Sequence, residues 1–273
     1  MADEGIRLGF IGSGFVGGAM IRGFSNFFPI SVYDKGKDIG SLKHVVENSD
    51  VIFLCLPTPE DVNGECDTSI VHSVLMDLHS ALENAHLCDK EVVIRSTVPP
   101  EWISSVARGL DRLTLLFMPE FLTARCADLD FINSNRFVIG TGEPADSMDY
   151  IMTKAVFERR FPGAPVKIMT WEEAAMLKYA VNNFFVVKVS FFNEIYDMCV
   201  NMDVDPDRVI HEMLNDGRIG RSHWQVPGPD GKRGYGGACF PKDSAAYCHI
   251  ARAVDVEPIM VTAARKVNQR VRR

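Results

Sequence analysis

One of the seven cysteines stands where a thiol could act as a nucleophile. Cys239 lies in the stretch Gly-Tyr-Gly-Gly-Ala-Cys-Phe-Pro-Lys-Asp, ahead of a predicted helix over Ser244 to Val254. A glycine-rich loop exposes the sulfur, and the N-terminus of a helix favours the thiolate. Such a thiolate can add to a carbonyl carbon and hold it as a covalent intermediate.

The remaining six cysteines are scattered, and none forms a Cys-x-x-Cys pair. This spacing predicts neither a zinc site nor a disulfide framework, so we expect no metal and a reducing compartment. Each of these thiols is more simply explained as a small buried hydrophobic side chain.

Two polar side chains in a largely apolar helical stretch could stabilise an oxyanion. Lys178 and Asn182 are four residues apart, so both project from one face of a helix predicted over Trp171 to Val200. A cation and an amide side by side stabilise negative charge on a reacting oxygen. The alternative is a solvated helix face, and the apolar neighbours argue against it.

Three further side chains could exchange protons or orient a water molecule. Asp243 follows Cys239 by four residues, Thr97 ends a predicted strand, and Glu120 follows another. The carboxyl edge of a parallel sheet is where catalytic groups of α/β proteins gather. For Glu120 the alternative is an exposed carboxylate in a loop.

A glycine pattern near the N-terminus is typical of a dinucleotide-binding turn. Gly12-Ser13-Gly14-Phe15-Val16-Gly17 follows an apolar strand pattern at Ile6 to Ile11 and opens a helix. The first glycine permits the tight turn, the second lets the backbone approach a pyrophosphate, and the third lets helix and strand pack closely. The helix N-terminus then presents free N–H groups to the phosphates.

An acidic residue follows this turn at the expected distance. Asp34 ends the second predicted strand, and its carboxylate can accept hydrogen bonds from a ribose diol. The same carboxylate would repel a 2′-phosphate, which favours NAD over NADP. Lys35 and Lys37 beside it weaken that preference, and the alternative for Asp34 is a turn residue at a strand end.

Short apolar runs alternate with helical periodicity in the first half of the chain, which predicts a doubly wound, mainly parallel Rossmann sheet. The predicted strands are Ile6 to Ile11, Ile30 to Tyr33, Val51 to Leu56, Val92 to Ser96, Thr114 to Met118 and Phe137 to Gly140. Helical patterns dominate after about residue 170. The sequence therefore predicts an NAD-binding domain over 1–169 and a smaller all-helical domain over 170–273. A long loop rich in glycine and proline, Asp216 to Asp243, lies in the second domain and is expected to be functional.

Composition excludes several classes of function. The 273-residue chain carries a net charge of −7, so it lacks the basic excess of a general nucleic-acid binder. Its most apolar run, Phe184 to Phe192, is short and interrupted by Lys188, which argues against a membrane span. The acidic N-terminus is unlike a secretory signal, and we expect a cytoplasmic protein.

Several motifs, in order, resemble the nucleotide-sugar dehydrogenase family that includes UDP-glucose and GDP-mannose dehydrogenases. They are Leu56-Pro57-Thr58-Pro59, Ser96-Thr97-Val98, Pro119-Glu120-Phe121-Leu122, Lys178-Tyr179-Ala180-Val181-Asn182, Asn193-Glu194, Arg218-Ile219-Gly220 and the block from Gly234 to Asp243. The resemblance covers essentially the whole chain. It implies oxidation of a primary alcohol of a nucleotide sugar, with UDP-glucose the first expectation, to a carboxylate with two NAD.

The resemblance also implies roles for individual residues. By position, Cys239 is the nucleophile, which carries the substrate as a thiohemiacetal and then a thioester. Asp243 and Thr97 would position a water and relay protons, and Glu120 would assist thioester hydrolysis. The expected cofactor-binding residues are Gly12, Gly14, Phe15, Val16, Gly17, Asp34, Thr58, Thr97 and Lys242, the last reaching either a phosphate or Asp243. The expected substrate-binding residues are Glu120, Phe121, Leu122, Lys178, Asn182, Arg218, Tyr235 and Gly236, with Arg218 reaching the substrate from the neighbouring subunit.

The sequence departs from the family in two respects. Many members carry a second glutamate four residues after the first, where this chain has Ala124. Either Glu120, Thr97 and Asp243 suffice, or one half-reaction is slow. The family also continues beyond residue 273 into a second Rossmann-like domain that binds the nucleotide, which predicts weak substrate binding unless a separate chain supplies that domain.

An apolar stripe near the C-terminus suggests a homodimer. Met260, Ala264, Val267 and Val271 share one face of a helix that we expect to run from Pro258 to Arg273. In the family this helix belongs to the dimer core. The alternative is that the stripe packs on this chain's own second domain.

Two other functions remain open. A two-electron hydroxyacid dehydrogenase with a helical second domain would stop at the carbonyl and need no nucleophilic cysteine. A degenerate, non-catalytic assembly subunit is the other alternative, favoured by Ala124 and opposed by intact Cys239, Lys178, Asn182 and Asp243.

Overall fold

The computed structural model describes residues 5–142 and 148–272. Contacts within the chain divide it into two compact units. The first unit contains the chain up to Pro59 together with Asp67–Lys178, and the second contains Glu60–Cys66 and the chain from Tyr179 onward. A short excursion of the N-terminal half therefore belongs to the second unit.

The first unit is built on a seven-stranded sheet in the order β2-β1-β3-β4-β5-β6-β7. The strands are β1 (Leu8–Ile11), β2 (Ile30–Tyr33), β3 (Val51–Leu54), β4 (Lys90–Ile94), β5 (Leu113–Phe117), β6 (Phe137–Thr141) and β7 (Val166–Thr170). All neighbouring pairs are parallel except β5 with β6. The prediction of a mainly parallel sheet is confirmed, while β7 went unpredicted because its half-exposed residues lack a continuous apolar run.

Helices cover both faces of this sheet. They are α1 (Phe15–Phe24), α2 (Leu42–Glu47), α3 (Ser69–Ala85), α4 (Trp102–Ala107), α5 (Ala127–Ile132), α6 (Ile151–Arg160) and the start of α7 (Trp171–Asn201). Two apolar clusters result, one on each face, and β3 contributes Ile52 to the first and Phe53 to the second. Burial on both faces explains why β3 reads as an unbroken apolar run.

The second unit is helical, as the sequence predicts. It contains most of α7, then α8 (Pro206–Asn215), α9 (Phe240–Ala253) and α10 (Ile259–Val271). Helix α8 begins where Asp205 accepts hydrogen bonds from the N–H groups of Asp207 and Arg208, with Pro206 in the first turn. Helix α10 packs into the unit through Val261 and Ala264, which are buried.

Helix α9 corrects the predicted extent of the long loop. It begins at Phe240 rather than Ser244, because Pro241 suits the first turn of a helix and does not prevent it. The loop that follows α8 therefore ends at Cys239, and Asp243 lies in the first turn of α9.

Helix α10 differs from the prediction at both ends of its apolar stripe. It ends at Val271 instead of continuing to Arg273, and the Arg272 side chain is held by Asp230 and by the carbonyl of Arg233. Arg273 itself lies outside the described residues. Met260 is exposed whereas Ala264 is buried, so the predicted stripe is not one uniform face.

Among the described residues, no helix combines the length and the apolar character that a membrane crossing requires.

Candidate active site

The glycine turn between β1 and α1 has the shape that its sequence predicts. Gly12 has φ of +90°, and a Cβ there would lie 2.3 Å from the carbonyl oxygen of Cys55. A Cβ on Gly17 would lie 2.1 Å from the carbonyl oxygen of Gly12, whereas one on Gly14 would meet nothing within 4 Å. The turn therefore has no room for a side chain at Gly12 or Gly17, whereas the space beside Gly14 is open. No side chain caps the N-terminus of α1 at Gly14. A pyrophosphate fits this arrangement, because the first N–H groups of the helix need an acceptor.

Asp34 lies directly beside this turn. Its Oδ2 accepts hydrogen bonds from the N–H and the hydroxyl of Ser13, at 2.8 and 2.7 Å, and Oδ1 accepts from the N–H of Lys37. The Ser13 hydroxyl above all, with its N–H, holds the pKa of Asp34 below the usual value. The Lys37 ammonium donates to the carbonyl of Ser13. A fixed carboxylate next to the phosphate turn suits the ribose diol of NAD.

Replacing Asp34 with serine is expected to lower the selectivity for NAD over NADP. The carboxylate repels a 2′-phosphate and serine does not, so the ratio of kcat/KM for NAD over NADP should fall at least about tenfold. Steady-state kinetics with both cofactors measures this ratio, and Asp38→Ser, four residues on, is the control. An unchanged ratio would assign the cofactor preference to another group.

Glu120 and Lys178 form an ion pair inside the first unit. The Lys178 ammonium lies 2.7 Å from Oε1 of Glu120 and also donates to the Glu120 carbonyl, while the N–H of Leu122 donates to Oε2 at 2.7 Å. The two side chains are only 4% and 5% exposed. Neither a solvated helix face nor an exposed loop carboxylate describes these residues.

The surroundings of Glu120 are cationic. Burial by itself would raise the pKa of Glu120, but the charge of Lys178 and its hydrogen bond outweigh that and hold the pKa below the usual value. Arg95, also buried, adds to the lowering. Glu120 is therefore a carboxylate near neutral pH, and its ion pair keeps Lys178 in one position.

This lowered pKa predicts a pH-dependent contribution to stability. The contribution is complete above the ordinary glutamate pKa and is lost as the pH falls through the lower folded-state value. The difference in unfolding free energy between the wild type and Glu120→Gln should therefore shrink as the pH falls below about 4.5. Urea unfolding between pH 7 and pH 3 measures it. Burial raises the pKa of Glu91, so Glu91→Gln should show the opposite trend. A difference for Glu120→Gln that grows in acid would contradict the account.

A second charged network lies inside the second unit. Asp243, 1% exposed, accepts hydrogen bonds from the Asn182 amide and the Lys242 ammonium, each at 2.6 Å. Of the two partners predicted for Lys242, the structure shows Asp243. Tyr179 is buried beside this carboxylate, and burial first, with Cys66 and Asp243 adding to it, raises its pKa well above the usual value.

Cys239 is the residue at which α9 begins. It occupies the N-cap position and is half-buried, and its carbonyl accepts the N–H of Asp243 at 2.8 Å. Its thiol therefore lies at the positive end of a helix, one turn before a buried carboxylate. The six other cysteines lie in loops or in helices; Cys126 also stands at a helix N-cap, that of the six-residue α5. Burial raises the pKa of the half-buried Cys55 to about 12.

The loop that presents Cys239 is held by two asparagines. The N–H of Gly234 donates to Oδ1 of Asn193, and the N–H of Tyr235 donates to Oδ1 of Asn268 at 2.7 Å. Asn268 also donates to the carbonyl of Tyr235, whose ring is buried. Asn268 was not among the predicted site residues, although it is a polar residue beside the buried face of α10.

The other predicted site residues are distributed over the two units. Thr58 and Thr97 are buried in the first unit, after the carboxyl ends of β3 and β4. Phe121 and Leu122 are half-buried there, with the Lys178 ammonium 5.7 Å from the centroid of the Phe121 ring. In the second unit a Cβ on Gly236 would collide with Arg272, and Arg218 is 89% exposed and paired with Asp216. The role of Arg218 towards a neighbouring subunit stays a prediction.

Comparison with known proteins decides the family. Residues 37–159 match the NAD binding domain, and residues 172–270 the central domain, of the UDP-glucose/GDP-mannose dehydrogenase family. The chain belongs to the UDP-glucose/GDP-mannose dehydrogenase family. It is a nucleotide-sugar dehydrogenase relative with an NAD-binding domain, so the predictions of the family, the Rossmann fold class and the cofactor are confirmed.

Individual relatives agree with this assignment. A UDP-glucose 6-dehydrogenase of Rhizobium meliloti is 31% identical over 239 residues, which cover 85% of this chain and 53% of that protein. The chain thus spans about half the length of the curated relatives it matches. A UDP-glucose dehydrogenase structure from Pyrobaculum islandicum superposes with a TM-score of 0.84 at 25% identity, covering 98% of this chain and 70% of that one.

The fold is shared more widely than the family. A 3-hydroxyisobutyrate dehydrogenase structure from Mycobacterium tuberculosis superposes with a TM-score of 0.75 at 15% identity, covering 97% of this chain and 93% of that one. At this identity the likeness concerns the fold alone, so function must be argued from side chains.

Proposed function

We propose that this chain oxidises the primary alcohol of a nucleotide sugar, UDP-glucose first among the candidates, to a carboxylate. The observation that carries the proposal is Cys239 at the start of α9, one turn before the buried carboxylate of Asp243. The glycine turn and Asp34 would hold NAD, which would supply the hydride acceptor for each of the two oxidations.

The thiol of Cys239 solves the problem of holding an aldehyde. Its sulfur forms a bond to the aldehyde carbon, and the carbonyl oxygen becomes the hydroxyl of a thiohemiacetal. Loss of a hydride and of the hydroxyl proton converts this adduct into a thioester. Water then attacks the thioester carbon, the carbon–sulfur bond breaks, and the carboxylate and the free thiol are released.

The charged groups take complementary parts. Lys178, fixed by Glu120, and Asn182, fixed by Asp243, would stabilise the oxyanion that develops at each step. Asp243, with Thr97, would orient the attacking water and accept its proton. Glu120 would hold Lys178 in place, and the resemblance also gives it a part in hydrolysis of the thioester.

The family resemblance assigns recognition of the nucleotide mainly to a domain that follows the two domains matched here. The resemblance assigns contacts with the sugar to Phe121, Leu122, Tyr235 and Gly236. It also implies that Arg218 reaches the substrate from the neighbouring subunit. Because Arg218 would reach the substrate of a neighbouring subunit, we propose that the chain forms a homodimer. We also propose that it is cytoplasmic. Binding energy from remote parts of a substrate helps to position its reacting end, so the nucleotide should strengthen the hold on the sugar.

The two-electron alternative rests on the fold shared with 3-hydroxyisobutyrate dehydrogenase. That alternative has no use for a thiol at the start of α9, and the four-electron proposal requires one.

NADH formation on a panel of nucleotide sugars tests the proposal. The chain is incubated with NAD and with UDP-glucose, GDP-mannose or UDP-N-acetylmannosamine, and absorbance at the NADH band is followed. We expect turnover with one member of the panel and formation of the matching uronate. Absence of NADH with every nucleotide sugar, while NAD still binds, would overturn it.

A further inference from the structure

A basic cleft in the second unit is not used by the proposed reaction. It has a volume of about 530 Å³ and lies among α9, α10 and the excursion Glu60–Cys66. The polar side chains that matter are those of His249, Arg252, Thr262, Arg265, Lys266 and Gln269. This volume is in the range of small-molecule sites.

The charge of the cleft is opposite to that of the chain. Arg252, Arg265 and Lys266 line it, no carboxylate of the described residues does, and the whole chain carries a net charge of −7. Thr262 and Gln269 add a hydroxyl and an amide, so the lining is rich in hydrogen-bond donors. A concave surface of this composition concentrates anions.

One of the three cations is already fixed in position. Arg265 donates through one guanidinium nitrogen to the carbonyl of Pro241 at 3.1 Å and to the hydroxyl of Ser244 at 2.8 Å. Ser244 is buried, so these bonds anchor the guanidinium to the first turn of α9. A preorganised guanidinium loses little freedom on binding an anion, which favours affinity.

Two side chains of the cleft, Arg252 and His249, have partners that an anion can displace. Arg252 lies 3.4 Å from Glu257 and 3.5 Å from the Thr262 hydroxyl, and His249 lies 3.4 Å from Glu65. Each of these ion pairs is between about half-exposed side chains, and such pairs contribute little. A polyvalent anion can therefore compete for Arg252 at small cost.

We propose that this cleft is a binding site for a small molecule that carries a diphosphate group. Three cations match the two or three charges of a diphosphate better than the single charge of a carboxylate. The residues of the cleft belong to the second unit, whereas the glycine turn at Gly12 belongs to the first. Nucleic acid is a poor occupant, because the acidic chain repels an extended phosphate backbone.

Isothermal titration with inorganic pyrophosphate tests the proposal. NAD is left out, because it carries a diphosphate of its own and would compete for the cleft, and binding at the cleft is recognised by its loss in variants of the cleft. Pyrophosphate should bind, and the double variant Arg252→Ala/Lys266→Ala should bind at least about tenfold more weakly. Gln269→Glu, which adds a negative charge to the cleft and removes no cation, should also weaken binding. A matched double variant outside the cleft, Lys43→Ala/Arg108→Ala, should bind like the wild type.

Two further arms use ADP and UDP under the same conditions. Affinities equal to that of pyrophosphate mean that the diphosphate alone is recognised, and a higher affinity for one nucleotide means that its nucleoside contributes. In either case Gln269→Glu should weaken the binding. The proposal is overturned if the wild type gives no binding to any of the three probes. It is equally overturned if Gln269→Glu and the double variant bind like the wild type.

Discussion

Replacing Cys239 with serine is expected to lower acid formation by about a thousandfold or more, equivalent to roughly 4 kcal/mol of transition-state stabilisation. A serine hydroxyl at the start of α9 is not ionised near neutral pH, whereas a thiol there is readily activated. The hydroxyl would form the adduct poorly and would not give a thioester. The measurement is uronate formed per enzyme, by mass spectrometry, under saturating NAD.

The control for this substitution is a thiol outside the site. Cys88 is exposed in the first unit, in the loop that precedes β4, and Cys88→Ser should leave acid formation within about twofold of the wild type. Acid formation by Cys239→Ser at the wild-type rate would show that the thiol takes no part in the chemistry.

Removing Lys178 is expected to have the largest effect on stability. Lys178→Met leaves the Glu120 carboxylate buried without its cation, and breaking a buried ion pair in this way costs about 3–5 kcal/mol of unfolding free energy. Turnover should fall with it, because the ammonium is the cation proposed to stabilise the oxyanion. Urea unfolding and steady-state kinetics measure the two effects separately.

A double variant separates charge from packing. In Lys178→Met/Glu120→Leu the buried charge is gone as well, so most of the lost stability should return while turnover stays low. The surface pair of Lys154 and Glu158 provides the control, and Lys154→Met should cost less than about 1 kcal/mol. Recovery of turnover in the double variant would contradict the role of Lys178.

The features that were predicted correctly from sequence depend on local geometry. Gly12 has a positive φ and lies close to the Cys55 carbonyl, and few residues other than glycine can adopt that conformation. The turn can therefore be predicted from the glycine pattern. The place of Cys239 between a glycine-rich loop and a helix was also predictable, because the two are adjacent in the chain, while its role stays a prediction. The unbroken apolar run of β3 likewise reports burial on both faces.

Two of the features that were missed depend on distant partners. Glu120 and Lys178 are 58 residues apart, so nothing in either segment shows that one neutralises the other. Asn268 supports the Cys239 loop from a helix 33 residues beyond Tyr235. The start of α9 was misplaced because Pro241 was treated as part of the loop, although proline is well suited to a first helical turn.

The ratio of NADH to sugar acid tests the central claim most directly. The purified chain is given a limiting amount of the nucleotide sugar that it turns over and an excess of NAD, and both products are counted at completion. Oxidation of an alcohol to a carboxylate removes four electrons, so the account predicts two NADH for every sugar consumed, with the uronate as product. One NADH for every sugar, with the aldehyde as product, would contradict it and identify a two-electron dehydrogenase.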